Sequence, residues 1–184
     1  MERLRSFSAR VAQVEMAVAA ILAVAVAALI LVNVITRSIG QSVYWVDEAA
    51  IAAMVWMSFL GSSAAIHYRT SVAVTILPDM LGNVGRAGMQ RFADLVILGF
   101  AAFLAWVTIR WFDPINLVAT DFSLSDFSGS TFNFIYEEQT TTLGIRKFWL
   151  WLIVPIFCLT VSLHAVVNLL TPPGDDPPPL VPSE

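Results

Sequence analysis

Met16 to Ile35 reads MAVAAILAVAVAALILVNVI, twenty residues without a single Asp, Glu, Lys or Arg. As an α-helix this stretch would measure about 30 Å, the thickness of the hydrocarbon core of a bilayer. Its eleven Leu, Ile and Val residues are together worth roughly −3 to −7 kcal/mol on the insertion scale, and no central charge, at about +2.5 to +3.5 kcal/mol, opposes them. The stretch therefore inserts. A cleaved signal peptide is the competing reading, but its apolar region would be about 7–15 residues long, and here Thr36-Arg37 follows directly in place of a cleavage site. An uncleaved first span is expected.

Three further stretches, Ala49 to Ile66, Leu95 to Ile109 and Phe148 to Leu163, are equally free of charge, so the ten basic and fourteen acidic residues all lie outside the four. Of the 184 residues, 58% are hydrophobic and 13% charged, with a mean hydropathy of +0.75, whereas soluble domains run near ~45–50% and ~25%. The chain is thus expected to be an all-α integral membrane protein. Its four transmembrane helices fall at about 14–36, 46–67, 88–111 and 147–170, in one membrane domain covering 1–170. The third is the shortest apolar run, and extending it backwards brings in Arg91 and Asp94, three residues apart on one helical face, which are expected to pair.

Composition also excludes functions. The single cysteine, Cys158, leaves no intrachain disulfide and no cysteine-based metal cluster. A net charge of −4 with no basic run speaks against nucleic-acid binding, and no Gly-x-x-x-x-Gly-Lys-Ser/Thr loop is present for an ATPase.

An even number of spans places both termini on one side. With the termini cytoplasmic, Arg3, Arg5, Arg10, Arg69, Arg86 and Arg91 lie inside, against Arg37, Arg110, Arg146 and Lys147 outside. Three of the inner arginines precede the first span, which usually sets orientation. Trp45, Trp111, Trp149 and Trp151 all flank the outer face, where aromatic side chains anchor. Between spans two and three, Val72, Ile76, Met80 and Val84 recur every four residues around Pro78, which predicts a helix lying in the interface; a loop folded against the other helices is the alternative. The outer segment 113–146 mixes Asp121, Asp126, Glu137 and Glu138 with Phe122, Phe127, Phe132, Phe134 and Tyr136. That aromatic content argues against disorder and for a folded flap that contacts another protein. Residues 171–184 are Pro-rich and are expected to form a disordered cytoplasmic tail.

At the span centres the hydroxyl and amide side chains are only Asn33, Ser58, Ser62, Ser63, Thr108, Thr160 and Ser162. The spans offer no proton relay and no charged coupling site, so a role in transport would be that of a helper. No catalytic residue, cofactor or metal ligand is expected. Ser58 with Ser62, and Gly61 with Ala65, sit four apart and make span two a surface that another helix can approach closely, unless they reflect ordinary packing. A short turn brings Arg37 towards Asp47 or Glu48, where a partly desolvated ion pair would hold the outer hairpin; solvation of all three by headgroups is the alternative. His67 and His164 both fall at cytoplasmic span ends, and two facing histidines can ligate haem iron, which keeps a respiratory anchor subunit as the competing class. A membrane-bound scaffold or sensor is the third.

The ordered series Asn33, Arg37, Trp45-Val46-Asp47-Glu48, Trp56, Phe59-Leu60-Gly61-Ser62-Ser63-Ala64-Ala65, Val72, Val74, Leu143-Gly144-Ile145 and Pro155 resembles the small membrane subunit, DctQ type, of tripartite ATP-independent periplasmic (TRAP) transporters. The resemblance covers most of 17–170. Departures are His67-Tyr68-Arg69 where the family often has basic residues and then His-Ile, Arg146 where a proline usually follows Leu-Gly-Ile, and a longer outer segment. The resemblance implies a multi-pass protein of the bacterial inner membrane, partnered by a large permease and a periplasmic substrate-binding protein, in sodium-coupled uptake of an organic acid. Arg37, Trp45, Asp47, Glu48, Trp56, Ser58, Gly61, Ser62 and Ala65 are the expected interface residues, and Asp121, Asp126, Glu137 and Glu138 the expected docking residues.

Overall fold

The computed structural model describes residues 1–69 and 82–171. The expected interfacial helix and the Pro-rich tail lie outside the described residues. Within them the chain folds into α1 (Glu2–Ser38), α2 (Tyr44–His67), α3 (Gly82–Phe112), α4 (Pro114–Ala119), α5 (Leu124–Thr131), α6 (Lys147–Trp151) and α7 (Ile153–Leu170). Four segments are long and apolar enough to cross a membrane: Glu2–Ser38, Tyr44–His67, Ala87–Ala119 and Lys147–Leu170.

The helix α1 has 37 residues, about 55 Å, and so begins well before the apolar run that marks it. Its N-terminal part stays helical because one stripe, Ser8, Ala12, Glu15 and Ala19, is buried against the bundle; the spacing of four, three and four keeps these residues on one helical face. At its other end α1 stops in a Schellman arrangement, in which Gly40 N–H donates to the Arg37 carbonyl at 3.1 Å and Gln41 N–H to the Thr36 carbonyl at 2.9 Å. Gly40 sits at φ +75°, a left-handed conformation that costs a residue without a Cβ little. The turn sends α2 back antiparallel along α1.

The central helix is α7. Much more of its segment is buried than of α1, because α7 packs on α1, α2 and α3 together. Ile153, Val154 and Cys158 meet Ala19 and Leu60, and Phe157 and Val161 meet Ala101. Phe59 closes edge-on against Phe157 with ring centroids 5.0 Å apart. The last spanning segment is broken between α6 and α7 at Leu152. Pro155 explains the break, since it has no N–H for the Trp151 carbonyl and its ring crowds that turn. In the same turn the Trp56 indole of the neighbouring helix donates to the Leu150 carbonyl at 2.9 Å.

Segment 113–146 forms a cap over one end of the bundle. Asp113 caps α4 by accepting from Asn116 N–H, with Pro114 at the first helical position, and Ser123 caps α5 by accepting from Asp126 N–H. Phe112, Phe127, Ile135 and Tyr136 make the core of the cap. The Tyr136 hydroxyl donates to the Phe112 carbonyl at 2.6 Å, and burial, then the charge of Asp113, push its ionisation above the ordinary phenol range, so it remains a donor.

Candidate functional site

Two polar loci stand at opposite ends of the bundle. At the cap end, the turn between α1 and α2 places Arg37 against Asp47, with Nη2 to Oδ2 at 2.8 Å, and Asn33 Nδ2 also donates to Asp47. Glu48 takes no part in that pair. Its carboxylate accepts Thr141 N–H at 2.9 Å, Thr142 N–H at 2.8 Å, Leu143 N–H at 3.0 Å and the Thr142 hydroxyl at 2.5 Å. Successive helical residues point about 100° apart, so one carboxylate of Asp47-Glu48 holds the hairpin and the other holds the end of the cap. The clasped turn closes through Thr140 N–H to the Ile145 carbonyl at 2.8 Å, and Gly144 at φ +67° supplies the left-handed residue the reversal needs.

The other expected interface residues divide by helical face. Trp56 faces inward to Leu150, beside Leu60, Ser63, Ala64 and His67, which are buried. Ser63 Oγ and Thr160 Oγ1 lie 2.8 Å apart and join α2 to α7. Ser58 and Ser62 are exposed, and the Ser58 hydroxyl donates only to the Met54 carbonyl of its own helix. Gly61 and Ala65 are half-buried, and a Cβ at Gly61 would meet nothing within 4 Å. Trp45 is half exposed at the cap end. Of the docking residues, Asp121 and Asp126 are exposed, Glu137 is half-buried, and Glu138 is paired with Lys147.

At the opposite end the structure corrects the sequence reading in two ways. Asp94 is paired not with Arg91, which is exposed, but with Arg69 at 2.8 Å, across from the end of α2. Arg69 also reaches the Asn168 carbonyl at 3.2 Å. The histidines do not flank a space for a haem: their ring centroids are 5.0 Å apart, and Ser8 Oγ lies between them, 3.0 Å from His67 Nδ1 and 2.8 Å from His164 Nδ1. Rings in mutual contact leave no room for a macrocycle between them. Just beyond the charge-free runs, His164 Nε2 also lies 3.1 Å from Glu15 Oε2, and the whole set is buried. The sequence reading stopped at the edge of the charge-free run and so missed Ser8 and Glu15. The signal was the spacing of Ser8, Ala12, Glu15 and Ala19 along one face.

The family model for tripartite ATP-independent periplasmic transporters, DctQ component, matches residues 26–172. The chain belongs to this family. No curated protein and no solved structure matches it. As a DctQ component the chain is the small permease subunit of a TRAP transporter, a part of a transport system rather than a member of an enzyme family. Two residues that carried the DctQ resemblance from far apart in sequence, Glu48 and Leu143, are in contact at the cap end.

Proposed function

We propose that this DctQ subunit holds the large permease through the open face of α2 and presents its cap to a periplasmic substrate-binding protein. The observation that carries the reading is the division of α2. Its inward face is used up by α1 and α7, whereas Ile51, Met54, Ser58 and Ser62 are exposed. Two serines on that face allow close helix approach in a bilayer. On the cap, Phe122, Phe132 and Phe134 are exposed while Phe127 and Tyr136 form its core, and exposed aromatics beside Asp121 and Asp126 suit a docking surface. The arginines before the first span support cytoplasmic termini in the bacterial inner membrane. Sodium-coupled uptake of an organic acid rests on the resemblance to the family.

The test is co-purification with the co-expressed large permease. Ser58→Trp and Ser62→Trp are expected to abolish capture of the permease while leaving the thermal transition of the small subunit unchanged, because both positions point away from its own bundle. Capture of the permease by both variants at the wild-type yield would overturn the assignment of this face.

A further inference from the structure

The buried side chains Glu15, His164, Ser8 and His67 form an unbroken chain between α1, α7 and α2, and counting hydrogens gives it a direction. A neutral imidazole has one donor nitrogen and one acceptor, and a serine has one hydrogen to donate. With Glu15 ionised, His164 donates from Nε2 to the carboxylate and keeps Nδ1 as an acceptor. Ser8 then donates to His164 Nδ1, and the Ser8 oxygen accepts the Nδ1 hydrogen of His67. Each link holds one hydrogen, and the set carries one negative charge.

We propose that this chain is a proton-binding site, in which a proton taken up at His67 is delivered to the ring of His164 through Ser8. The transfer balances without any other reactant. A proton adds to His67 Nε2, the hydrogen on His67 Nδ1 passes to Ser8 Oγ, and the original Ser8 hydrogen passes to His164 Nδ1. The product is a His164 imidazolium beside the Glu15 carboxylate, with Ser8 now donating to His67 and His67 left as the Nε2–H tautomer. Two features favour this end state. Glu15 Oε1 is buried without a hydrogen-bond partner, a costly position for an ionised carboxylate unless a cation stands beside it. Among the described residues the hydroxyl joining the rings is that of Ser8, which is fully buried and so shielded from solvent. Among the described residues, the other charged or titratable groups near this set are Arg5 of α1, which reaches Thr171 at 3.1 Å, Arg10 of α1, which lines the same cavity as Glu15, Tyr68, whose ring centroid is 4.9 Å from that of His67, and the pair of Arg69 after α2 with Asp94 of α3; near it α7 adds the neutral Asn168.

The experiment is nitrogen-15 NMR of the full-length chain, labelled at histidine and held in lipid nanodiscs, as the pH is lowered through the histidine range. His67 is expected to change from the Nδ1–H to the Nε2–H tautomer at the same midpoint at which His164 gains its proton. Ser8→Ala should separate the two events, and Ser8→Thr, which keeps the hydroxyl, should restore their coincidence. A His67 tautomer that ignores the titration of His164 in the wild type would overturn the proposal, as would the absence of titration in both rings. Coupling that survives in Ser8→Ala would do the same.

Discussion

Glu48 and Leu143 are joined by a hydrogen bond of 3.0 Å across 95 residues of sequence. With Thr141 and Thr142 donating to the same carboxylate, this contact fastens the end of the cap to α2. A carboxylate can accept all of these donors at once, whereas an amide has only one accepting atom. Glu48→Gln is therefore expected to leave at least one backbone N–H without a partner. Hydrogen exchange at Thr141, Thr142 and Leu143 should speed up several-fold while exchange in α7 stays as it was. Unchanged protection at the three amides would mean that the turn holds itself.

Gly144 isolates the backbone part of the same turn. A Cβ there would meet nothing within 4 Å, but φ is +67°, so Gly144→Ala should cost about 1–2 kcal/mol from conformation alone. Gly144→Asn should cost clearly less, because Asn visits this region more readily. Thermal unfolding in detergent would rank the two, and equal losses would point to a steric cause.

The break at Leu152 and the Trp56 indole form a coupled pair. Trp56→Phe removes the donor to the Leu150 carbonyl and is expected to destabilise the chain by about 1 kcal/mol. In a Pro155→Ala background the helix can supply its own donors through this turn, so the same substitution should cost much less. A double-mutant cycle on the unfolding free energies reads this directly; additive losses would separate the indole from the proline break.

Phe127 and Phe132 are five residues apart and have opposite roles. Phe127 is 1% exposed in the cap core and Phe132 is 82% exposed. Phe127→Ala should cost about 3–5 kcal/mol and make the cap sensitive to protease. Phe132→Ala should leave protease resistance intact and, if the cap is the docking surface, reduce substrate uptake by the assembled transporter. Normal uptake by Phe132→Ala together with Phe122→Ala would remove the exposed aromatics from that role.

The exposed ion pair Arg37–Asp47 is expected to contribute little. Both side chains are about half exposed, so their coupling in a double-mutant cycle should stay below about 1 kcal/mol. Asp47→Ala should be the costlier single change, because it also removes the acceptor of Asn33.

The spans were legible in the sequence because insertion into a bilayer is close to a sum over neighbouring residues. A charge-free run of bilayer length needs no partner to be recognised. Membership of the DctQ family was legible for a related reason, the order of short motifs along the chain. The pairing of the charges beside those runs was not legible. Arg91 and Asp94 are correctly spaced for a helical pair, yet Asp94 bonds to Arg69, which only the packing of α2 and α3 on α7 brings near.

Met16 to Ile35 by itself determined that the chain enters the membrane and that its centre carries no ion. Asp47 and Glu48 show the boundary of that kind of inference. Adjacent in sequence and alike in chemistry, they point about 100° apart on the helix, and the tertiary structure alone decided that one holds Arg37 and the other the turn at Thr141 to Leu143. At the far end it likewise joined Ser8, Glu15, His67 and His164, since the relative rotation of three packed helices is not a property of any one of their sequences.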